Sequence, residues 1–207
     1  RVLVMDSVLA DIDFACQNIN QISDPSRTLI TKYIAYALKS RICLFEGTFR
    51  KYHDEYNLQG TANHWLTQAA DAAKVIMDEA NFSLNQGEEG YRNLFISPSP
   101  VSTEVMLATL YSKSLGLLHA GNWYMVSPSY GCRGSLIRTF VNTYLNIDGT
   151  PFTDDPEYST MTFQEETKGR DLRLKQTIKT KGYGRINKGS FQTSPPLFSY
   201  TYTGYQL

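Results

Sequence analysis

Apolar residues recur at helical spacing through the first third of the chain. Between Leu3 and Ile19, the positions Met5, Val8, Leu9, Ile12, Cys16 and Ile19 share one face, while Asp6, Asp11, Asp13 and Gln17 lie mostly on the other. That alternation of threes and fours predicts an amphipathic helix. Ser23-Asp24-Pro25 then offers a polar cap followed by proline, which predicts the start of a second helix. Its stripe runs through Ile30, Tyr33, Ile34, Ala37, Leu38, Arg41, Cys43, Leu44 and Phe45, and continues through Phe49 and Tyr52 towards His53. Gly60-Thr61 interrupts the pattern, and a third helix carries Trp65, Ala69, Ala72, Ala73 and Ile76. Small residues on both stripes let two helices approach closely, with a bulky side chain of one filling the gap left by the other. Two such helices starting roughly 35 residues apart have tetratricopeptide-type spacing. A pair of this kind buries its stripe only against neighbours.

The period changes after Leu84. Gly87 to Gly90 is a polar turn, Tyr91 to Phe95 a short amphipathic piece, and Ser97-Pro98-Ser99-Pro100 ends helical order. The stretch "EVMLATLY", Glu104 to Tyr111, reads as a strand in preference to a short buried helix. Residues 112–130 are loop-like and aromatic, and Gly134 to Leu145 reads as helical. Turn signals then crowd in at Asp148-Gly149, Asp155-Pro156, Gly182, Gly184 and Pro195-Pro196. The expected fold class is mainly α: a tetratricopeptide-like α-α superhelix with a loop-rich, partly irregular C-terminal half. Residues 1–96 would form the helical scaffold, and 97–207 a loop-rich region packed on it within one structural domain. Long ordered loops are uncommon unless they serve a function.

Composition narrows the partners. Twenty basic residues balance twenty acidic ones among 207, so net charge is zero, and nothing in that balance favours nucleic acid or an anionic membrane surface. Charged residues make up 19% of the chain against 14 tyrosines and 10 phenylalanines, a surface suited to a neutral, hydroxyl-rich ligand. Cys16, Cys43 and Cys132 are odd in number and far apart, which argues against a disulfide framework; Cys16 and Cys43 fall in helical patterns and read as buried free thiols. No apolar run approaches the ~20 residues of a membrane span. With Arg1 first and no signal peptide, the chain is expected to be a processed or trimmed product.

Catalytic signatures are sparse. His53, His64 and His119 lack metal-protease spacing, Cys132 in "YGCRGS" has no partner base, and "GYGRINKG" lacks the ending of a phosphate loop. The adjacent carboxylates Glu88-Glu89, Asp154-Asp155 and Glu165-Glu166 could suggest a glycosidase, but neighbours on a helix do not face each other and all three pairs sit among polar turn residues. Calcium held by Asp148, Asp154 and Asp155 would not have EF-hand spacing. The reading is therefore of a non-catalytic protein without cofactor or metal. Binding is the better case, since aromatic faces cover the C–H face of a sugar while Asn, Arg and Asp bond its hydroxyls. "HAGNWYMVSPSYGCRGS" places Asn122, Trp123, Tyr124, Tyr130 and Arg133 in one loop, and these are the expected glycan-binding residues. Trp65, on a helical stripe, is expected in the core. Tyr200, Tyr202 and Tyr205 alternate as on a strand.

Several segments together resemble the SusD/RagB family of outer-membrane glycan-capturing lipoproteins. "ITKYIAYALKSRICLFEGTFRKYH" is similar to a family helix through Ala37, Arg41, Leu44, Gly47, Lys51 and Tyr52. "AAKVIMDEANFSL", "YRNLF", the segment led by Glu104, "VNTYLNIDGTPF" and "GRDLRLKQTI" follow in the family's order. Leu172 stands where that family usually has proline. The resemblance implies a fragment incomplete at both ends, lipid-anchored through a part outside it at the outer-membrane surface. It also implies non-catalytic carbohydrate binding in polysaccharide utilisation, with delivery to a SusC-like TonB-dependent transporter for nutrient uptake. A helical-repeat scaffold for protein–protein interaction is the alternative.

Overall fold

The computed structural model describes residues 1–121, 124, 136–178 and 180, and the backbone of 184–187 and 190–193. Within them the chain is mainly helical and divides into two compact units. The first comprises Arg1–Asn85 with Ser97–Leu110, and the second Gln86–Ile96 with Tyr111–Leu207. The chain therefore passes between the units three times, at 85/86, at 96/97, where the sequence placed its division, and at 110/111. Segment 97–110 returns to the first unit, while the short helix before it belongs to the second.

Three helices build the first unit: α1 (Val2–Asn18), α2 (Lys32–Tyr52) and α3 (Ala62–Glu79). The periodicity located all three, and α2 lies between the other two in sequence and contact. Each neighbour runs antiparallel to it. Lys39 pairs with Asp13 at 2.6 Å while Arg1 reaches Glu46; Tyr33 donates to the Glu79 carbonyl while Arg50 donates to Thr61. Cys43, Trp65 and Ala69 form the buried centre, with Met5 and Leu9 of α1 packed on it. Trp65 is 1% exposed, as its stripe position predicts, and Cys16 and Cys43 are buried free thiols.

Two features of the "EGTFRKY" stretch explain the close packing. A Cβ on Gly47 would lie 2.7 Å from Leu66 Cδ2 and 3.1 Å from the Leu66 backbone nitrogen, so only glycine lets α3 come this near. Glu46 and Arg50, both buried, bond each other at 2.8 Å across one helical turn. The Arg50 guanidinium also stands 4.8 Å from the centre of the Trp65 ring. Such a buried charge is tolerated only when paired, so the cluster locks α2 to both neighbours in one arrangement.

The second helix begins later than the Ser23-Asp24-Pro25 signal predicts. The Asp24 carboxylate instead accepts the backbone N–H groups of Ser26, Thr28 and Leu29, closing a turn, and Arg27 adopts φ 58°. That left-handed residue ends any continuous helix. Its carbonyl accepts Ala108 N–H at 2.7 Å and its guanidinium reaches the Ser102 carbonyl, clasping 97–110 to the helices. The stretch 104–111 is accordingly neither strand nor helix, and among the described residues no strand pairs with it.

The second unit holds short elements: α4 (Gly90–Ile96), α5 (Arg138–Val141), α6 (Phe163–Glu166) and α7 (Leu172–Thr177), with an antiparallel hairpin of β1 (Gly184–Asn187) and β2 (Ser190–Thr193). Of the helix expected over 134–145, residues 136–145 are described, and among them only α5 is helical. Beyond it, the Arg170 guanidinium donates to the Val141 and Tyr144 carbonyls, and the Val141 carbonyl also closes a turn by accepting the Tyr144 N–H. Arg170 is 5% exposed and lies 3.6 Å from the Phe152 ring centre. Asp148-Gly149 turns the chain as predicted, with Gly149 at φ 87° and the Asp148 carboxylate accepting from Thr150. Val141, Leu174 and Ile178 make the core, flanked by Leu136, Tyr144 and Phe163.

Candidate functional site

An open concavity lies wholly within the second unit. It is an open cleft of about 410 Å³ lined by Tyr91, Phe140, Thr143, Tyr144, Leu145 and Arg173. Helix α4 delivers Tyr91, α5 and the turn after it deliver Phe140 to Leu145, and α7 delivers Arg173. Gln176 ties the first to the last: its side-chain carbonyl accepts the Arg92 N–H at 2.8 Å while its amide donates to the Leu172 carbonyl. Arg170, beneath, holds the Tyr144 backbone in place.

The rings form a corner. Phe140 and Tyr144 stand 5.9 Å apart at 88°, and the Tyr144 hydroxyl sits 3.4 Å from that of Thr177. Phe140 is 48% exposed, so an apolar face remains open to a ligand. Arg173 is held by Asp171 through Nε contacts of 3.0 and 3.1 Å and a further bond from Nη2. That pairing keeps the Asp171 carboxyl below its ordinary range and lifts Arg173 above its own. Asp171 also caps α7 by accepting the Arg173 N–H. A second open hollow of about 260 Å³ shares Leu145 and is lined further by Asn146, Ile147, Gly149, Asp171 and Leu172. An exposed Phe140 ring with the half-buried Tyr91 and Tyr144 rings, beside a compensated ion pair, can stack on and hydrogen-bond a polyhydroxylated molecule.

Of the five residues expected to bind glycan, Tyr124 alone is described; Asn122, Trp123, Tyr130 and Arg133 lie outside the described residues, as do Cys132 and Tyr200, Tyr202 and Tyr205. Tyr124 is 54% exposed, and its N–H donates to the Ala120 carbonyl at 3.0 Å. Its approach is ordered by a tight turn in which Ser112 and Leu117 exchange backbone bonds. His119 Nδ1 accepts the Gly121 N–H at 3.0 Å, and its ring meets Tyr111 edge-on. Tyr91, Phe140, Tyr144 and Arg173 were not singled out by sequence reasoning. Three of them sit inside "YRNLF", "VNTYLNIDGTPF" and "GRDLRLKQTI", so the signal was present as fold markers whose convergence no linear pattern reveals.

Glu88, Glu89, Asp154 and Asp155 are exposed. Glu165 closes a capping box with Thr162, which holds its carboxyl below the ordinary range, and Glu166 binds Arg138 at 2.9 Å. Among the described residues no three His, Cys, Asp or Glu side chains gather as metal ligands, and no helix is long and apolar enough to cross a membrane. No protein-family model, curated protein or solved structure matches the chain. The likeness to the SusD/RagB family therefore rests on its sequence motifs alone.

Proposed function

We propose that this chain captures an oligosaccharide or polysaccharide without transforming it, on a tetratricopeptide-like helical frame. The glycan then passes to a SusC-like TonB-dependent transporter at an outer-membrane surface, to which the whole protein is lipid-anchored. The observation that carries the reading is the convergence of Tyr91, Phe140 and Tyr144 with Arg173 on one open cleft. Exposed rings bind sugars by covering apolar C–H faces, and the charge-poor lining keeps hydroxyls as the partners. Asn122, Trp123, Tyr124, Tyr130 and Arg133 remain candidate glycan-binding residues on the strength of the sequence.

Migration through gels containing immobilised polysaccharides tests this. The chain is slowed by at least one glycan, free sugar relieves the slowing, and Phe140→Ala abolishes it. Retention that survives Phe140→Ala and ignores free sugar would reject the cleft.

One observation favours the alternative scaffold reading. Leu3, Val4 and Phe14 on α1, and Leu38, Phe45 and Tyr52 on α2, are all exposed. A protein partner that binds those stripes with no effect of sugar would support it.

A further inference from the structure

We infer that the glycan is uncharged and at least two sugar units long, lying across both hollows with the Asp171–Arg173 pair reading hydroxyls at their junction. The inference rests on the glycan-capture reading and adds the ligand's charge and length to it.

Charge follows from compensation. Among the described residues, Arg173 is the one ionised side chain lining the larger hollow, and Asp171 the one lining the smaller. They neutralise each other through a two-pronged contact. A uronate or sulfate entering the larger hollow would have to pull Arg173 from Asp171, losing charge-assisted bonds already made, or lie beside that carboxylate and meet its like charge. A hydroxyl demands neither. It accepts from Arg173 or donates to Asp171 while the pair stays intact.

Length follows from shape. The two hollows share Leu145 and meet at the consecutive positions 171 to 173, so they form one continuous surface. The first offers a right-angled corner of rings, which a puckered sugar chair can fill with one face on Phe140 and its edge on Tyr144. The second offers the aliphatic side chains of Leu145, Ile147 and Leu172 beside Gly149, a smoother wall for the next ring. One ring can occupy only one of these surfaces.

Asp171→Asn is the informative variant. Asparagine caps a helix as well as aspartate does, so α7 retains its start while Arg173 loses its counter-charge. Titration calorimetry with the whole chain would use neutral gluco-, manno- and xylo-oligosaccharides, their monosaccharides, and oligogalacturonides of matched length. The expected result is that a neutral oligosaccharide binds at least about tenfold more tightly than its monosaccharide and than any oligogalacturonide. In Asp171→Asn the ratio of neutral to acidic affinity falls by about tenfold. Because this ratio is taken within one protein, partial unfolding does not move it. Equal or tighter binding of oligogalacturonide by the unaltered chain overturns the charge assignment, as does an unchanged ratio in the variant. A monosaccharide binding as tightly as its oligomer overturns the two-hollow arrangement. If no sugar of either charge binds, glycan capture itself fails.

Discussion

Gly47 has no side chain because α3 leaves no room for one. A methyl group there would meet both the branch point of Leu66 and its backbone nitrogen, so moving the tip of Leu66 does not solve the clash. Alanine gains ~0.5–1 kcal/mol over glycine in a helix interior, but overpacking costs about 1–3 kcal/mol. Gly47→Ala is therefore expected to lower the unfolding free energy, measured by denaturant titration, by a net ~1 kcal/mol. Trp65 presents the opposite case, a large side chain 1% exposed among Cys43 and Ala69. Trp65→Ala should cost ~3–5 kcal/mol, while Phe140→Ala, at an open surface, should stay within about ±0.5 kcal/mol. Thermal melting of the two variants side by side checks the contrast, and equal losses would mean that Phe140 is a core residue.

Short elements are set by their ends. Leu172 occupies the first helical position of α7, behind Asp171 at φ −43° and ψ 133°. That backbone is compatible with a following proline, and the N–H at a first helical position has no acceptor within the helix. Leu172→Pro is thus expected to be tolerated and to raise stability by ~0.4–1 kcal/mol, measured by chemical unfolding; a loss would show that Leu172 contributes more by packing than proline contributes by rigidity. The turn at 24–29 makes a pH prediction. Backbone N–H groups and the Ser26 hydroxyl hold the Asp24 carboxyl at about 2, below its ordinary 3.8. A carboxyl depressed by folding stabilises the fold fully above the unfolded value and loses that contribution as pH falls towards the folded one. The stability difference between the natural chain and Asp24→Asn should therefore be constant at neutral pH and shrink between pH 3.8 and about 2. A difference that stays flat through that window would mean the turn does not depend on the charge.

At the scale of the whole molecule, net charge is zero and the cleft's ion pair is compensated, so the proposed glycan capture would rest on hydroxyls and ring faces. Glycan affinity is accordingly expected to change by less than about twofold between about 0.05 and 0.5 M salt. A steep loss in the same titration would reveal an anionic ligand.

Sequence alone was enough for α1, α2 and α3, the core place of Trp65, the buried thiols and the turn at Gly149. Each depends on residues close along the chain, where helical period or left-handed backbone leaves its own mark. The Ser23-Asp24-Pro25 signal misled because an aspartate that caps a helix and one that closes a turn accept the same nearby N–H groups. Position 104–111 misled because a strand exists only if another strand pairs with it. Only tertiary structure decided that Arg170 would donate to the Val141 and Tyr144 carbonyls, where the helix expected over 134–145 gives way to a turn. It alone brought Tyr91, Phe140, Tyr144 and Arg173 to one cleft. Those meetings join segments tens of residues apart, and no spacing along the chain encodes a distance that folding creates.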